Sequence, residues 1–163
     1  MSVGFVSKVL NGTSVCASEC VGYSAEEIDA ISRLYNLRIS GQLYEFLSTM
    51  GRCDGGAMGD TIVQLYRPTW RVREHFLFQE IFISDLRDGG YEEYLNRPFV
   101  FCFISETQYY FVQSELGDKV FHYDSNDEVV DVTSYDLLGF LHDLVLQVNG
   151  DSGGRSVGDL LRI

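Results

Sequence analysis

Proline is almost missing from this chain: only Pro68 and Pro98 occur in 163 residues, which excludes long proline-rich linkers. Nowhere do about 18 apolar residues run together, the length a membrane-spanning helix needs. Met1 to Lys8 shows no charged leader followed by a long apolar run, so no signal peptide is expected and the cytoplasm is the expected compartment. The four cysteines, Cys16, Cys20, Cys53 and Cys102, are too few for a disulfide scaffold at this length. Cys16 and Cys20 form the one close pair, with no second pair or nearby histidine to complete a zinc site, so idle thiols in a reducing compartment are expected. Asn11-Gly-Thr13 matches the glycosylation pattern, which carries no weight without a secretion signal.

Histidine is equally scarce. His75, His122 and His142 are the only three. His142 falls on the polar side of the last predicted helix, where exposure is expected, and His122 alternates with Phe121 and Tyr123 on a predicted strand, where packing suffices. No G-x-S-x-G, H-E-x-x-H or P-loop occurs. The run Asp124-Ser-Asn-Asp127-Glu128 lacks the glycine and distant glutamate of an EF-hand. Catalysis needs a nucleophile or base held by a partner, and none is positioned here. No catalytic residue, metal site or cofactor is assigned, and an enzyme is not expected.

What is abundant is apolar and aromatic: 45% hydrophobic residues, with 11 Phe and 10 Tyr. That supports one core and excludes a disordered chain. A single domain over residues 1 to 150 is expected, followed by a flexible or loosely docked tail, 151 to 163, in which Val157, Leu160 and Leu161 offer apolar contacts.

The pattern predicts the elements in order. Val3, Val6, Val9 and Leu10 suggest a short helix. Ser24-Ala-Glu-Glu27 is a capping box, opening a helix over about Ala25 to Tyr35. Leu43, Phe46, Leu47 and Met50 mark a second, with Gly51 placed to end it in a left-handed conformation. Thr61 to Tyr66 reads as a strand. Residues 72 to 86 suit helix or extended structure, with helix preferred; Gly89-Gly90 breaks it, and Tyr91 to Leu95 adds a turn. Pro98 to Ile104 is a nearly continuous apolar run, as in a central strand buried on both faces. Gln108 to Gln113, Lys119 to Tyr123 and Glu128 to Val132 then form strands joined by tight turns, an antiparallel meander. Thr133 is placed to cap a last amphipathic helix carrying Leu137, Leu141 and Leu144, which Asn149 to Gly154 ends. The expected fold is α+β: one twisted, mainly antiparallel β-sheet with helices packed against it.

Charge is unevenly distributed. The net charge is −12, from 24 acids and 12 bases. Up to Arg73 there are 7 of each; residues 74 to 163 hold 17 acids and 5 bases and carry the whole excess. A one-signed field of this kind repels phosphates and anionic membranes and steers basic proteins. Acidic surfaces also serve solubility alone. Direct nucleic-acid and membrane binding are not expected.

Two blocks resemble the SUKH superfamily, the group of fungal cell-wall-assembly regulators of the Smi/Knr type and many bacterial immunity proteins. Tyr23-Ser-Ala-Glu-Glu-Ile28 through Leu34, then Leu43-Tyr-Glu-Phe-Leu47 and Met50-Gly51, is similar to the family's opening helices and glycine loop. Phe99 to about Val148, with Tyr109-Tyr-Phe111, Val120-Phe-His-Tyr-Asp124 and Phe140-Leu141, is similar to its second half. Ile39-Ser40 stands where the family commonly has a proline, and residues 67 to 96 and the glycine-rich tail match poorly. The resemblance implies an immunity protein that binds and neutralises a cognate polymorphic toxin, often a nuclease with a basic groove. It is joined here to the acidic half, which points to contacts at Glu106, Glu115, Asp118, Asp124, Asp127, Glu128 and Asp131, with Tyr109 and Tyr123 as aromatic anchors. A Smi/Knr-type regulatory scaffold, or an unrecognised enzyme or small-molecule binder, are the alternatives. The oligomeric state is not legible.

Overall fold

Ser24 opens the first long helix through the reciprocal pair its sequence announces. Its Oγ accepts from the Glu27 N–H at 3.2 Å, while its own N–H donates to Glu27 Oε1 at 2.9 Å, satisfying two donors a helix start leaves unpaired. In the computed structural model, which describes residues 4–148 and 155–163, α1 is Phe5–Val9 and α2 is Ala25–Tyr35, ended by Asn36 in the left-handed region (φ 55°). Val3 and the expected helix stop at Asn149–Gly154 lie outside the described residues. A two-stranded antiparallel ribbon, β1 (Cys20–Val21) with β2 (Cys53–Asp54), brackets α2 and α3 (Gly41–Met50). Gly51 follows α3 but is not left-handed: its φ is −71° and ψ −24°. The requirement there is space, since a Cβ would lie 2.6 Å from the Leu47 carbonyl oxygen and 2.8 Å from Tyr23.

The strand expected at residues 61 to 66 does not form. Gln64–Tyr66 is a single 3-10 turn, and Val63, Gln64, Leu65 and Tyr66 are all buried. Apolar content there reflects burial on every side rather than pleated alternation. Helix is the outcome for the ambiguous segment: α4 is Val72–Asp88, followed by a 3-10 turn at Glu92–Tyr94.

The meander forms as expected. β3 (Pro98–Ile104), β4 (Gln108–Gln113), β5 (Lys119–Asp124) and β6 (Val129–Asp136) make one antiparallel sheet in sequence order. β3 is buried as its composition predicts, yet it is an edge strand, not a central one. Side chains stand in for the missing neighbour: Gln64 and Gln79 each donate Nε2–H to the Val100 carbonyl (2.7 and 2.9 Å), and Gln79 Oε1 accepts from the Val100 N–H at 3.0 Å. The Phe103 N–H donates to the Ile62 carbonyl at 2.8 Å. The ladder of a buried edge is thus closed without a strand.

Every strand pair is antiparallel and helices pack on both faces of the sheet, so the fold is α+β. On one face Phe82 and Leu86 of α4 pack on Val100, Tyr109, Phe111, Phe121 and Tyr123. On the other, Phe99, Phe101, Val112 and Val120 join a larger core with α1, α2, α3 and α5 (Leu137–Val148). Thr133 does not cap α5; it lies within β6 and donates to the Val120 carbonyl at 2.6 Å. Asp136 caps instead, its Oδ1 accepting from the Gly139 N–H at 2.8 Å, because β6 runs on until Asp136.

Of the two expectations for the tail, residues 155–163 dock. Leu160 is fully buried; its N–H donates to the Tyr23 hydroxyl at 2.9 Å and its carbonyl accepts from the Tyr35 hydroxyl at 2.7 Å. Gly158 lies so close to Leu65 that a Cβ would stand 1.8 Å from that carbonyl oxygen. Arg52 pairs with both Glu27 and Asp159 while lying 4.3 Å over the Tyr23 ring, which ties the start of α2 to the tail. Leu160→Ala is expected to lower the unfolding free energy by about 2–5 kcal/mol, read from the urea midpoint at unchanged slope. A loss below about 0.5 kcal/mol would mean that the tail is not part of the cooperative unit.

Candidate interaction surface

A meander has two ends, and the acidic residues singled out in the sequence divide between them. Glu115 and Asp118 sit in the β4–β5 connection. There Glu115 pairs with Arg97 (3.1 Å), and Asp118 Oδ1 accepts from the Gln42 N–H at the start of α3 (3.0 Å). Both stand apart from the rest of the set and are engaged in holding the fold. Glu106, Asp124, Asp127 and Glu128 lie at the opposite end, in the β3–β4 and β5–β6 turns. Asp124 organises its own turn: Oδ1 accepts from the Asn126 N–H (2.9 Å) and the Asp127 N–H (3.4 Å). Burial would raise its carboxyl, but those N–H donors outweigh it and hold the group below its ordinary value. Asp127 and Glu128 are exposed, and the Glu128 carbonyl accepts from the Tyr91 hydroxyl at 2.6 Å.

Tyr109 and Tyr123 are not anchors for a partner. They are 8% and 3% exposed, with rings 5.8 Å apart and both against Phe82 (5.4 and 6.0 Å). Strand alternation places both residues on one face, and α4 covers that face.

The same helix supplies two acids that sequence reasoning missed. Burial, then the neighbouring Asp88 and Glu128 carboxylates, raises the Asp85 carboxyl above its ordinary value, and Tyr123 is raised by burial and then by Asp85 and Glu128. The last turn of α4 and the β5–β6 turn therefore meet in one acidic corner of Asp85, Asp88 and Glu128, with Asp127 next to Glu128 in the same turn. Arg87 points elsewhere, lining a depression with Asn36, Glu80 and Arg97. A signal was present in the sequence: acids in the last turn of a helix oppose its macrodipole, so two of them there run against local preference.

Asp131 lies on the other face of β6, beside a groove of about 360 Å³ between β6 and α5. The groove is lined by Ile104, Tyr110, Phe140 and Leu144, with Asp131 and Asp143 also in its wall. Tyr110 stacks on His122 at 4.7 Å and packs on Phe140 at 4.8 Å. His122 Nε2 is 2.5 Å from Gln108 Oε1, and its Nδ1 is 3.8 Å from Asp131 Oδ2. The nearby hydroxyls are engaged, Thr133 by the Val120 carbonyl and Tyr135 by Asp143 Oδ2 at 2.6 Å. This arrangement offers an apolar floor and carboxylates, a surface for binding a cation-bearing group.

The remaining histidines are structural. His75 is buried edge-on to Trp70 (5.2 Å), and burial pushes it down to about 4, keeping it neutral. His142 is partly buried rather than exposed, with Nδ1 3.2 Å from the Val9 carbonyl, because α1 packs on the side of α5 that hydropathy alone marks as polar. Burial, then Asp54, pushes the Cys20 thiol up to about 12, which suppresses thiolate chemistry. Among the described residues no group of three or more His, Cys, Asp or Glu is placed to hold a metal ion, and no helix is long and apolar enough to cross a membrane. The chain matches no protein-family model, no curated protein and no solved structure.

The sign of the Asp85 shift makes a prediction. A carboxyl raised in the folded state binds its proton more tightly than in the unfolded chain, so its ionisation costs stability as pH rises through that range. Asp85→Asn should raise the Tm at pH ~7 and lose the advantage below about pH 3. A variant less stable than the parent at neutral pH would show that the corner is compensated.

Proposed function

We propose that this chain is a protein-binding domain of the SUKH type, acting in the cytoplasm as an immunity protein that neutralises a cognate basic protein toxin. The observation that carries the reading is the acidic corner, where the last turn of α4 meets the β5–β6 turn and the Asp88 and Glu128 carboxylates add to burial in raising the Asp85 carboxyl. Such repulsion is a standing cost to the free protein, and a basic partner relieves it. Support also comes from the order of elements, which follows the two blocks that resemble the superfamily, and from the charge excess, which lies wholly after Arg73. A toxin that acts on nucleic acid has a phosphate-binding groove, and a cluster of carboxylates at the end of a rigid sheet suits it as a cover. Neither a nucleic acid nor a membrane is the proposed partner, and the domain itself performs no catalysis in this reading.

The test is rescue from toxicity with a matched charge-reversed variant. Basic proteins captured by the tagged chain from its own host are identified, and each is expressed with either the parent chain or the triple variant Asp85→Lys, Asp127→Lys, Glu128→Lys. Asp124 is left intact because it holds its turn. The parent should restore growth. The variant should associate at least ~10-fold more slowly, with the difference shrinking as salt rises from about 50 to 300 mM. Equal protection by both chains, with equal association rates at both salt concentrations, would remove the acidic corner from the interface.

A further inference from the structure

We infer that an extended, basic segment of the partner adds to the β6 edge as a fifth strand and seats a lysine or arginine side chain in the groove between β6 and α5. The inference rests on the reading that this chain binds a basic protein, and it specifies how.

The two edges of the sheet are treated oppositely. At β3 the outward N–H and C=O groups are met by the Gln64 and Gln79 side chains and the Ile62 carbonyl. At β6 nothing comparable is present: among the described residues, no backbone group of Val129–Ser134 bonds to any element other than β5. Yet β6 is the longest strand of the sheet, with eight residues, and Val129 and Val132 are 41% and 57% exposed. An edge of that length is a template for another strand unless it is blocked. Proline and lysine, the common blocks, are missing from it. The irregularity in its pairing with β5 falls beyond Val132, so Val129–Val132 stays in regular register.

What guards this edge is charge of one sign. Asp127 and Glu128 precede the strand, Asp131 and Asp136 lie on it, and Asp143 faces it from α5. A second copy of β6 would bring the same carboxylates together and be repelled, whereas a basic strand is attracted. That asymmetry selects the occupant.

The groove supplies the side-chain specificity that strand addition requires. A strand beside β6 runs about 4.8 Å away, with alternate side chains directed to the α5 face. Ile104, Tyr110, Phe140 and Leu144 form an apolar channel suited to an aliphatic stem, and Asp131 and Asp143 are carboxylates suited to its charged head. The bonds that Asp143 receives from Tyr135 and Gln147 both fall on Oδ2.

The test uses the full chain and three synthetic peptides long enough to span β6: alternating Lys and Val, the same with Glu for Lys, and Lys alternating with Pro. The last keeps the charge, but its prolines donate no N–H and fix φ near about −65°, away from the about −140° of an antiparallel ladder. Amide exchange is followed residue by residue at about 1 mM peptide. The Lys-Val peptide should slow exchange within Val129–Ser134 by at least ~10-fold, the other two should not, and Asp131→Asn with Asp143→Asn should weaken binding at least ~10-fold. Protection confined to the acidic corner, or equal binding of the Lys-Pro peptide, would overturn strand addition while leaving the basic-partner reading standing. Failure of every basic peptide to bind would remove both. Protection of β6 that grows with protein concentration alone would assign the edge to a second copy of this chain.

Discussion

Phe82 sits in a cup formed by Tyr109, Phe111 and Tyr123, with ring centroids 4.8 to 6.0 Å away, and much of the molecule depends on that contact. It seats α4 on the sheet through a stripe of His75, Gln79, Phe82 and Leu86, all buried. Gln79, one turn before Phe82, is thereby placed to bond the edge of β3 with both ends of its amide. Asp85 and Asp88, one and two turns after it, are carried to the β5–β6 turn. One packing contact thus closes one edge of the sheet and assembles the acidic corner. Aromatic rings in tilted and edge-to-face contact fix position more narrowly than aliphatic chains would, which suits a helix whose polar residues must arrive in register.

The proposed interaction surface reads as a consequence of what is left over. The β3 edge and both faces are used in building the core, and the docked tail covers Tyr23 and Tyr35. Among the surfaces left open are the β6 edge, its groove against α5, and the carboxylates around the β5–β6 turn. These features lie on two sides of one strand and the turn that leads into it, so a single partner segment can meet strand, groove and charge together. In the proposed mode, main-chain pairing would supply affinity with little sequence preference, and charge would supply the selection.

Much of this fold was legible because its signals are local. The capping box at Ser24 concerns residues three apart and forms as read. The turns at 114 to 118 and 125 to 128 separate strands whose pairing needs no distant information, and the meander follows. Most of the misreadings share one cause, that the deciding neighbour is remote in sequence. Val63 to Tyr66 looks extended by composition, but burial on every side and the Gln64 amide on Val100 make it a turn. Thr133 has the chemistry of a cap, but its hydroxyl finds the Val120 carbonyl across the sheet. Gly51 looks like a left-handed stop and is instead a space requirement imposed by the Leu47 backbone and by Tyr23. Tyr109 and Tyr123 looked available because nothing in their own strands reveals that α4 lies over them.

Alternation, capping and turn chemistry are properties of neighbouring residues, so the amino-acid sequence alone determined the helices, the antiparallel meander, the α+β class and the confinement of the net negative charge to the second part of the chain. Which acids stand together was decided only in three dimensions. Glu115 and Asp118 parted from Asp127 and Glu128 because strands in a meander reverse at opposite ends, and Asp85 and Asp88 joined the latter because Phe82 docks where it does. Coulomb energy depends on distance through space, and that distance is set by packing between segments far apart along the chain.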